Sequence, residues 1–187
     1  MHDGAMPQLT APNASVHRSF VEAMAEFRAE GRGGVGDESA EGQFLRGHAD
    51  NLHDAKAFAA YVQAVCDQAR SDAAGEDVPR TNLWFVEGAA YMGRLMIRHA
   101  LTHELLERGG HIGYNVRPSA RRRGYATAML MEALPIARGL GITSALLTCD
   151  AGNNASRKVI ETCGGVLEDE RNGTLRFWLS TGAARRE

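Results

Sequence analysis

The chain has 187 residues, 44% of them apolar, and a net charge of −2. That length suits one domain with a full core, and the charge excludes a broadly basic nucleic-acid or membrane-surface protein. No apolar run approaches the roughly 20 residues that a bilayer crossing needs, so neither nucleic acid nor membrane is expected as a partner.

Residues 1–10 read as a flexible lead-in, because MHDGAMPQLT lacks the basic-then-apolar form of a signal peptide. Val16, Phe20, Ala23, Met24 and Phe27 recur at helical spacing and predict a helix over residues 15–30. The glycine-rich piece GRGGVGDESAEGQ, residues 31–43, reads as a loop. Phe58, Tyr61, Val62, Val65 and Ala69 predict a second helix over residues 55–70, and SDAAGEDVP closes the helical part. From residue 80 the character changes. TNLWFVEGAAYMGRLMIRH predicts two strands around a Glu87-Gly88 turn, and HIGYNV, residues 111–116, a third. Over residues 122–140 the period is helical again. Ala126, Met129, Leu130, Ala133, Ala137 and Leu140 share one face, and Pro135 is expected to kink the helix. ITSALLTCD has the unbroken apolar run of a strand covered on both faces. NASRKVIETCGG predicts a short helix, capped by Asn153 or Asn154 and ended by Gly164 or Gly165. GVLEDERNGTLRFWLS predicts a hairpin turning at Asn172-Gly173. The whole is a mixed α/β (α+β) domain with a mostly antiparallel sheet flanked by helices. The strand–helix–strand unit of residues 111–149 supplies one parallel pair, since such a crossover needs a dozen or more residues.

The three cysteines, Cys66, Cys149 and Cys163, are far apart and form no CxxC. They read as reduced, buried, small apolar side chains, which points to the cytoplasm and to no bound metal.

The stretch VRPSARRRGYATAML packs four arginines around a Gly-x-Ala step at a strand-to-helix junction. Amides at a helix start have no partner inside the helix and carry the positive end of its dipole. A phosphate there gains several hydrogen bonds at once. Gly124 and Ala126 leave room for close approach, a nearby arginine adds a charge-assisted bond, and Thr127 offers a hydroxyl. These residues alone fit a pyrophosphate seat and a solvated basic turn equally. They do not fit a P-loop or the G-x-G-x-x-G dinucleotide turn, and no helix precedes them to make a helix-turn-helix.

Arg121-x-x-Gly124-x-Ala126 follows the pattern [Q/R]-x-x-G-x-[G/A]. The strand HIGYNVRPS, the helix behind it, the strand ALLTCD and the segment NNASRKVIETCGG come in a matching order. By these features the chain resembles the GNAT superfamily of N-acetyltransferases, and within it a bacterial subgroup. The resemblance covers residues 78–180 as the core of a single domain spanning 1–187, with residues 11–77 as a variable helical N-terminal part. It implies acetyl-CoA as co-substrate, and a parallel strand pair splayed to admit the pantetheine arm. Tyr114, Asn115 and Val116 would pair with that arm. The amides of Arg122, Arg123, Gly124, Tyr125, Ala126 and Thr127 would seat the pyrophosphate, with Arg121 helping. Asn153 would contact the arm and Ser156 assist. Family members are often dimers through the C-terminal strands, so a homodimer is an arrangement the resemblance allows.

Acyl transfer to an amine requires a neutral amine, whereas a lysine-like amine is mostly protonated at pH 7. His111 and Asp150 are the candidate bases nearest the expected notch, ahead of His99 and Glu87. Many family members place a tyrosine in the last helix to protonate the departing thiolate. The corresponding position here is Ile160, so Tyr114, Cys149 and Ser156 are the candidate substitutes. A covalent route through Cys149 would need an activated thiolate beside a base. Direct transfer in a ternary complex is the expected course. The leading function is therefore N-acetylation of a small-molecule or peptide amine by acetyl-CoA. The alternative is a catalytically weak or inactive acyl-CoA-binding module, for which the missing tyrosine is the only support.

Overall fold

The computed structural model describes residues 6–32, 42, 51–70 and 78–182. The loop read at 31–43 therefore lies almost wholly outside the described residues, as does most of SDAAGEDVP. In chain order the elements are β1 (Gln8–Thr10), α1 (His17–Ala29), α2 (Ala55–Asp67), β2 (Arg80–Glu87), β3 (Ala90–Arg98), α3 (His103–Glu107), β4 (Ile112–Val116), α4 (Tyr125–Gly139), β5 (Ser144–Asp150), α5 (Asn154–Thr162), β6 (Val166–Arg171) and β7 (Thr174–Ser180). Short 3₁₀ turns precede α1, follow α2 and follow β4.

Hydrogen bonding orders the strands β1-β2-β3-β4 in one sheet and β5-β7-β6 in another. The fold is the expected mixed α/β one, with antiparallel ladders between β1 and β2 and from β7 to both its neighbours. The hairpin from β6 to β7 turns where expected. Asn172 and Gly173 both take positive φ, 48° and 75°, as a two-residue turn between twisted strands requires.

The chain divides into two compact units. The first holds residues 1–67, 82–94 and 115–125. Its core is built by the helical face read from the sequence, Val16, Phe20, Ala23, Met24 and Phe27, against Phe58, Tyr61, Val65, Trp84 and Tyr91. Phe20 sits at its centre, with ring centroids 5.0 Å from both Trp84 and Tyr91 and 5.3 Å from Phe58. The second unit holds residues 68–81, 95–114 and 126–187. Here Met129, Leu130, Ala133 and Ala137 of α4 are buried, as are Ala145, Leu146 and Leu147 of β5 and Phe177 and Leu179 of β7.

Four expectations need correction. Gln8–Thr10 are not a flexible lead-in, because they pair with Trp84 to Val86 of β2. The helix expected from residue 122 begins at Tyr125. Arg122 and Gly124 take φ of 61° and 80°, which a right-handed helix cannot accommodate. Leu140 lies past the end of that helix and is exposed. Finally, α3 was not read from the sequence. Thr102 caps it, its hydroxyl accepting the Leu105 N–H at 3.2 Å, with Glu104 in the first turn.

Candidate active site

In the second unit His111, the residue before β4, meets Leu146 of β5. The His111 N–H donates to the Leu146 carbonyl at 2.7 Å, and the Leu146 N–H donates to the His111 ring Nδ1 at 2.9 Å. Three residues further along, Tyr114 of β4 hydrogen-bonds Ser156 of α5. Strands β4 and β5 each lie at the edge of a sheet. Beyond His111 no ladder joins them among the described residues, for they close two different sheets. The two strands are thus edge strands of separate sheets, linked through the His111–Leu146 contact.

Polar side chains of β4 and α5 meet at Ser156. The Tyr114 hydroxyl lies 2.8 Å from Ser156 Oγ. Burial pushes the Tyr114 phenol up to about 12, so it stays protonated in the physiological range. Asn153 caps α5, its Oδ1 accepting the Ser156 N–H at 3.1 Å. Burial also raises the thiol of Cys149, and the charge of Asp150 adds to it. A protonated, buried thiol is a poor nucleophile, which argues against the covalent route. Ile160, at the position where the resemblance expects a tyrosine, is fully buried.

The arginine turn leads from β4 into α4. Arg122 and Arg123 are exposed, and neither makes an ion pair among the described residues. Arg123 lies over the Tyr125 ring, 5.0 Å from its centroid. A Cβ at Gly124 would meet no protein atom within 4 Å, so the turn leaves open space there. The first turn of α4, which contains Ala126 and Thr127, carries no acidic side chain to compete for its amides. First-turn amides with no helical partner, arginines without an ion pair among the described residues and a bare glycine together suit a phosphate.

Arg121 departs from expectation. Its guanidinium is clamped by Glu30, with Nη1–Oε1 at 2.8 Å and Nη2–Oε2 at 2.9 Å, and its Nε donates to the Val116 carbonyl at 3.3 Å. A planar fork already matched to a carboxylate is not free to reach for a phosphate. Arg117 is held in the same manner. It donates to Glu26 through Nε at 2.8 Å and Nη2 at 2.7 Å, and to Ser19 Oγ at 2.9 Å. Glu26 also accepts the Ser119 N–H at 2.9 Å. The crowded arginines are thus partly neutralised from α1. Sequence reasoning missed this role, although Glu22, Glu26 and Glu30 recur every fourth residue and mark an acidic stripe. Asn115 is half-buried at the end of β4, with its carbonyl close against Gly93.

Three of the four candidate bases are also engaged. His111 is buried, and its Nδ1 already accepts a hydrogen bond. Asp150 is exposed and paired with Arg108 at 2.9 Å. His99 bonds Thr81 at 2.8 Å. Glu87 lies in a groove of about 560 Å³ in the first unit, lined also by Ser19, Glu22 and Arg117. Among the described residues no group of three or more His, Cys, Asp or Glu side chains is placed to hold a metal ion, and no helix is long and apolar enough to cross a membrane.

The family model for the acetyltransferase (GNAT) domain matches residues 35–166, over half of the chain. No curated protein sequence matches it. Among solved structures the fold is similar to that of microcin C7 self-immunity acetyltransferase MccE in complex with acetyl-CoA and AMP. The TM-score is 0.62 at 13% identity, covering 96% of this chain and 93% of that one. It is similar also to Mycobacterium smegmatis RimJ in complex with CoA-disulfide, with a TM-score of 0.63 at 17% identity over 95% of this chain and 87% of the other. The PaiA N-acetyltransferase from Thermoplasma acidophilum in complex with coenzyme A gives 0.58 at 12% identity, over 93% and 98%. At such identities the likeness is one of fold.

Proposed function

The chain belongs to the acetyltransferase (GNAT) domain family and is an acyltransferase, and from that premise we propose that it transfers the acetyl group of acetyl-CoA directly to an amine of a small molecule or peptide. The start of α4 carries this reading. It joins positive φ at Arg122 and Gly124, open space over Gly124 and a first turn free of acidic side chains. The structural neighbours named above were solved with acetyl-CoA or coenzyme A forms, which supports the same co-substrate.

The pyrophosphate would be held by the amides at the start of α4, with the charges of Arg122 and Arg123 nearby. Tyr114, Asn115 and Val116 of β4 would meet the pantetheine arm, with Asn153 and Ser156 of α5 beside it. Acetyl-CoA supplies an activated acyl group, a thioester open to attack by a neutral amine. Tyr114, kept protonated by burial and hydrogen-bonded to Ser156, is the side chain suited to donate to the departing sulfur. With His111 Nδ1 occupied and Asp150 ion-paired, the acceptor's proton passes to solvent. Placing the amine against the thioester then supplies much of the acceleration.

Incubation with acetyl-CoA and a panel of small and peptide amines, followed by free-thiol release, tests the proposal. Amine-dependent thiol release with a matching mass gain on the amine is expected. Tight acetyl-CoA binding with no release for any amine would replace the proposal with an acyl-CoA-binding module.

A further inference from the structure

We infer that His111 is a positioning residue whose neutral ring forms the pivot from which β4 and β5 diverge, and so sets the opening of the notch. The inference rests on the proposal above in taking that notch as the entry of acetyl-CoA.

The backbone of β4 cannot serve Leu146 from both sides. The His111 carbonyl is already taken by the Arg98 N–H of β3 at 2.7 Å. The buried Leu146 N–H therefore needs another acceptor, and the imidazole Nδ1 supplies it at 2.9 Å. A side-chain nitrogen stands where a backbone ladder would place a carbonyl, and β4 and β5 belong to separate sheets.

The surroundings fix the ring in place. Gly110, at φ 63°, lets the chain pass close under Leu146, where a Cβ would run into the Leu146 carbonyl. Arg98 of β3 donates to the Gly110 carbonyl at 3.0 Å. Trp178 of β7 meets the ring edge-on, with centroids 6.4 Å apart.

Accepting a hydrogen bond at Nδ1 requires the proton on Nε2 and an uncharged ring. Protonation would set N–H against N–H and leave a buried amide without a partner. The cation acting on the ring is Arg98. Leu146 from β5 and Trp178 from β7 do not titrate, and Tyr114 on the same strand stays protonated. Burial first, and Arg98 second, hold the His111 ring below its ordinary value, in keeping with a neutral pivot.

The test compares wild type with His111→Asn, whose Oδ1 occupies nearly the place of Nδ1 without titrating, and with His111→Leu, which removes the acceptor. In wild type without ligand, nitrogen NMR should show the Nε2–H tautomer at neutral pH. Calorimetric acetyl-CoA affinity should fall by about tenfold more in wild type than in His111→Asn as pH drops through the histidine range. Titration of the ligand's own phosphates is common to both and cancels in the comparison. His111→Leu should lose about tenfold in affinity at neutral pH, and His111→Asn should restore it. An Nδ1–H tautomer, identical pH dependence in wild type and His111→Asn, or a folded His111→Leu with wild-type affinity would each overturn the inference. Should His111→Leu fail to fold, the paired pH profiles decide. Should wild type bind no acetyl-CoA, the proposed function fails. The tautomer and the acid-induced loss of exchange protection at the Leu146 amide then still decide the pivot.

Discussion

Both arms of the Arg121 guanidinium close on the Glu30 carboxylate, at 2.8 and 2.9 Å, across 91 residues of sequence. Four residues earlier, Arg117 is closed by Glu26 in the same way. Helix α1 thus holds the loop between β4 and α4 in shape before any ligand arrives. Two of the four crowded arginines are held by carboxylates, whereas Arg122 and Arg123 make no ion pair among the described residues.

Glu26 is the stronger of the two anchors, because it accepts Arg117 and both the amide and hydroxyl of Ser119. Glu26→Ala should cost about 1–3 kcal/mol of stability and weaken acetyl-CoA binding severalfold. The more exposed Arg121–Glu30 pair should count for about 1 kcal/mol or less when Glu30→Gln breaks it. Burial works against the Glu26 charge, but the bonds from Arg117 and Ser119 more than offset it and hold the carboxyl below its ordinary 4.5. Its contribution should be complete above that value and lost as pH falls through the lower, folded one. Denaturant melts of both variants between neutral and acid pH check this. Equal losses in the two variants would contradict it.

Gly124→Val should lower acetyl-CoA affinity sharply while the fold persists. A Cβ there meets no described protein atom within 4 Å, so the main cost to the protein is the strain of a φ of 80°, about 1–3 kcal/mol. The cost to the ligand is steric. Gly124→Ala should give a smaller effect of the same kind. Thermal shifts with and without acetyl-CoA measure both, and an unchanged ligand-induced shift in Gly124→Val would mean that the phosphates bind elsewhere.

Tyr114→Phe should lower kcat by about a hundredfold with little change in acetyl-CoA affinity. Because the phenol titrates near 12, the wild-type rate should show no fall from its ionisation below about pH 11. Ile160 is fully buried, so Ile160→Ala should destabilise by about 2–5 kcal/mol and leave the kcat of the folded fraction intact. A kcat unaffected by Tyr114→Phe would remove the proposed proton donor.

The long periodic elements and the final hairpin were legible in the sequence because local pattern specifies them. Phe20 and Phe27 mark a helix face, and Asn172-Gly173 marks a turn. Three-residue β1 carries too little pattern to read, and its pairing with Phe85 is long-range. Five-residue α3 is too short to show a period, although Thr102 and Glu104 were a readable cap. The signature turn marked the proposed phosphate seat but not the Glu30 partner of its first arginine, since Glu30 lies far off in sequence. His111 was read as a base from its residue type. Only the distance to Leu146 shows that its Nδ1 is spent.

If no side chain takes the acceptor's proton, the pH–rate profile at low acceptor concentration should follow the amine's own pKa. Changing the amine should then move the profile with it. Asp150→Asn should leave the profile in place. A limb that stays fixed across amines of different basicity, and that Asp150→Asn abolishes, would restore Asp150 as the base.

Calorimetric titration of the wild-type protein with acetyl-CoA tests the central claim most directly. Saturable one-to-one binding in the micromolar range, about −8 kcal/mol, is predicted, weakening with added salt as the phosphate contacts are screened. No heat and no thermal shift at saturating acetyl-CoA would contradict the account.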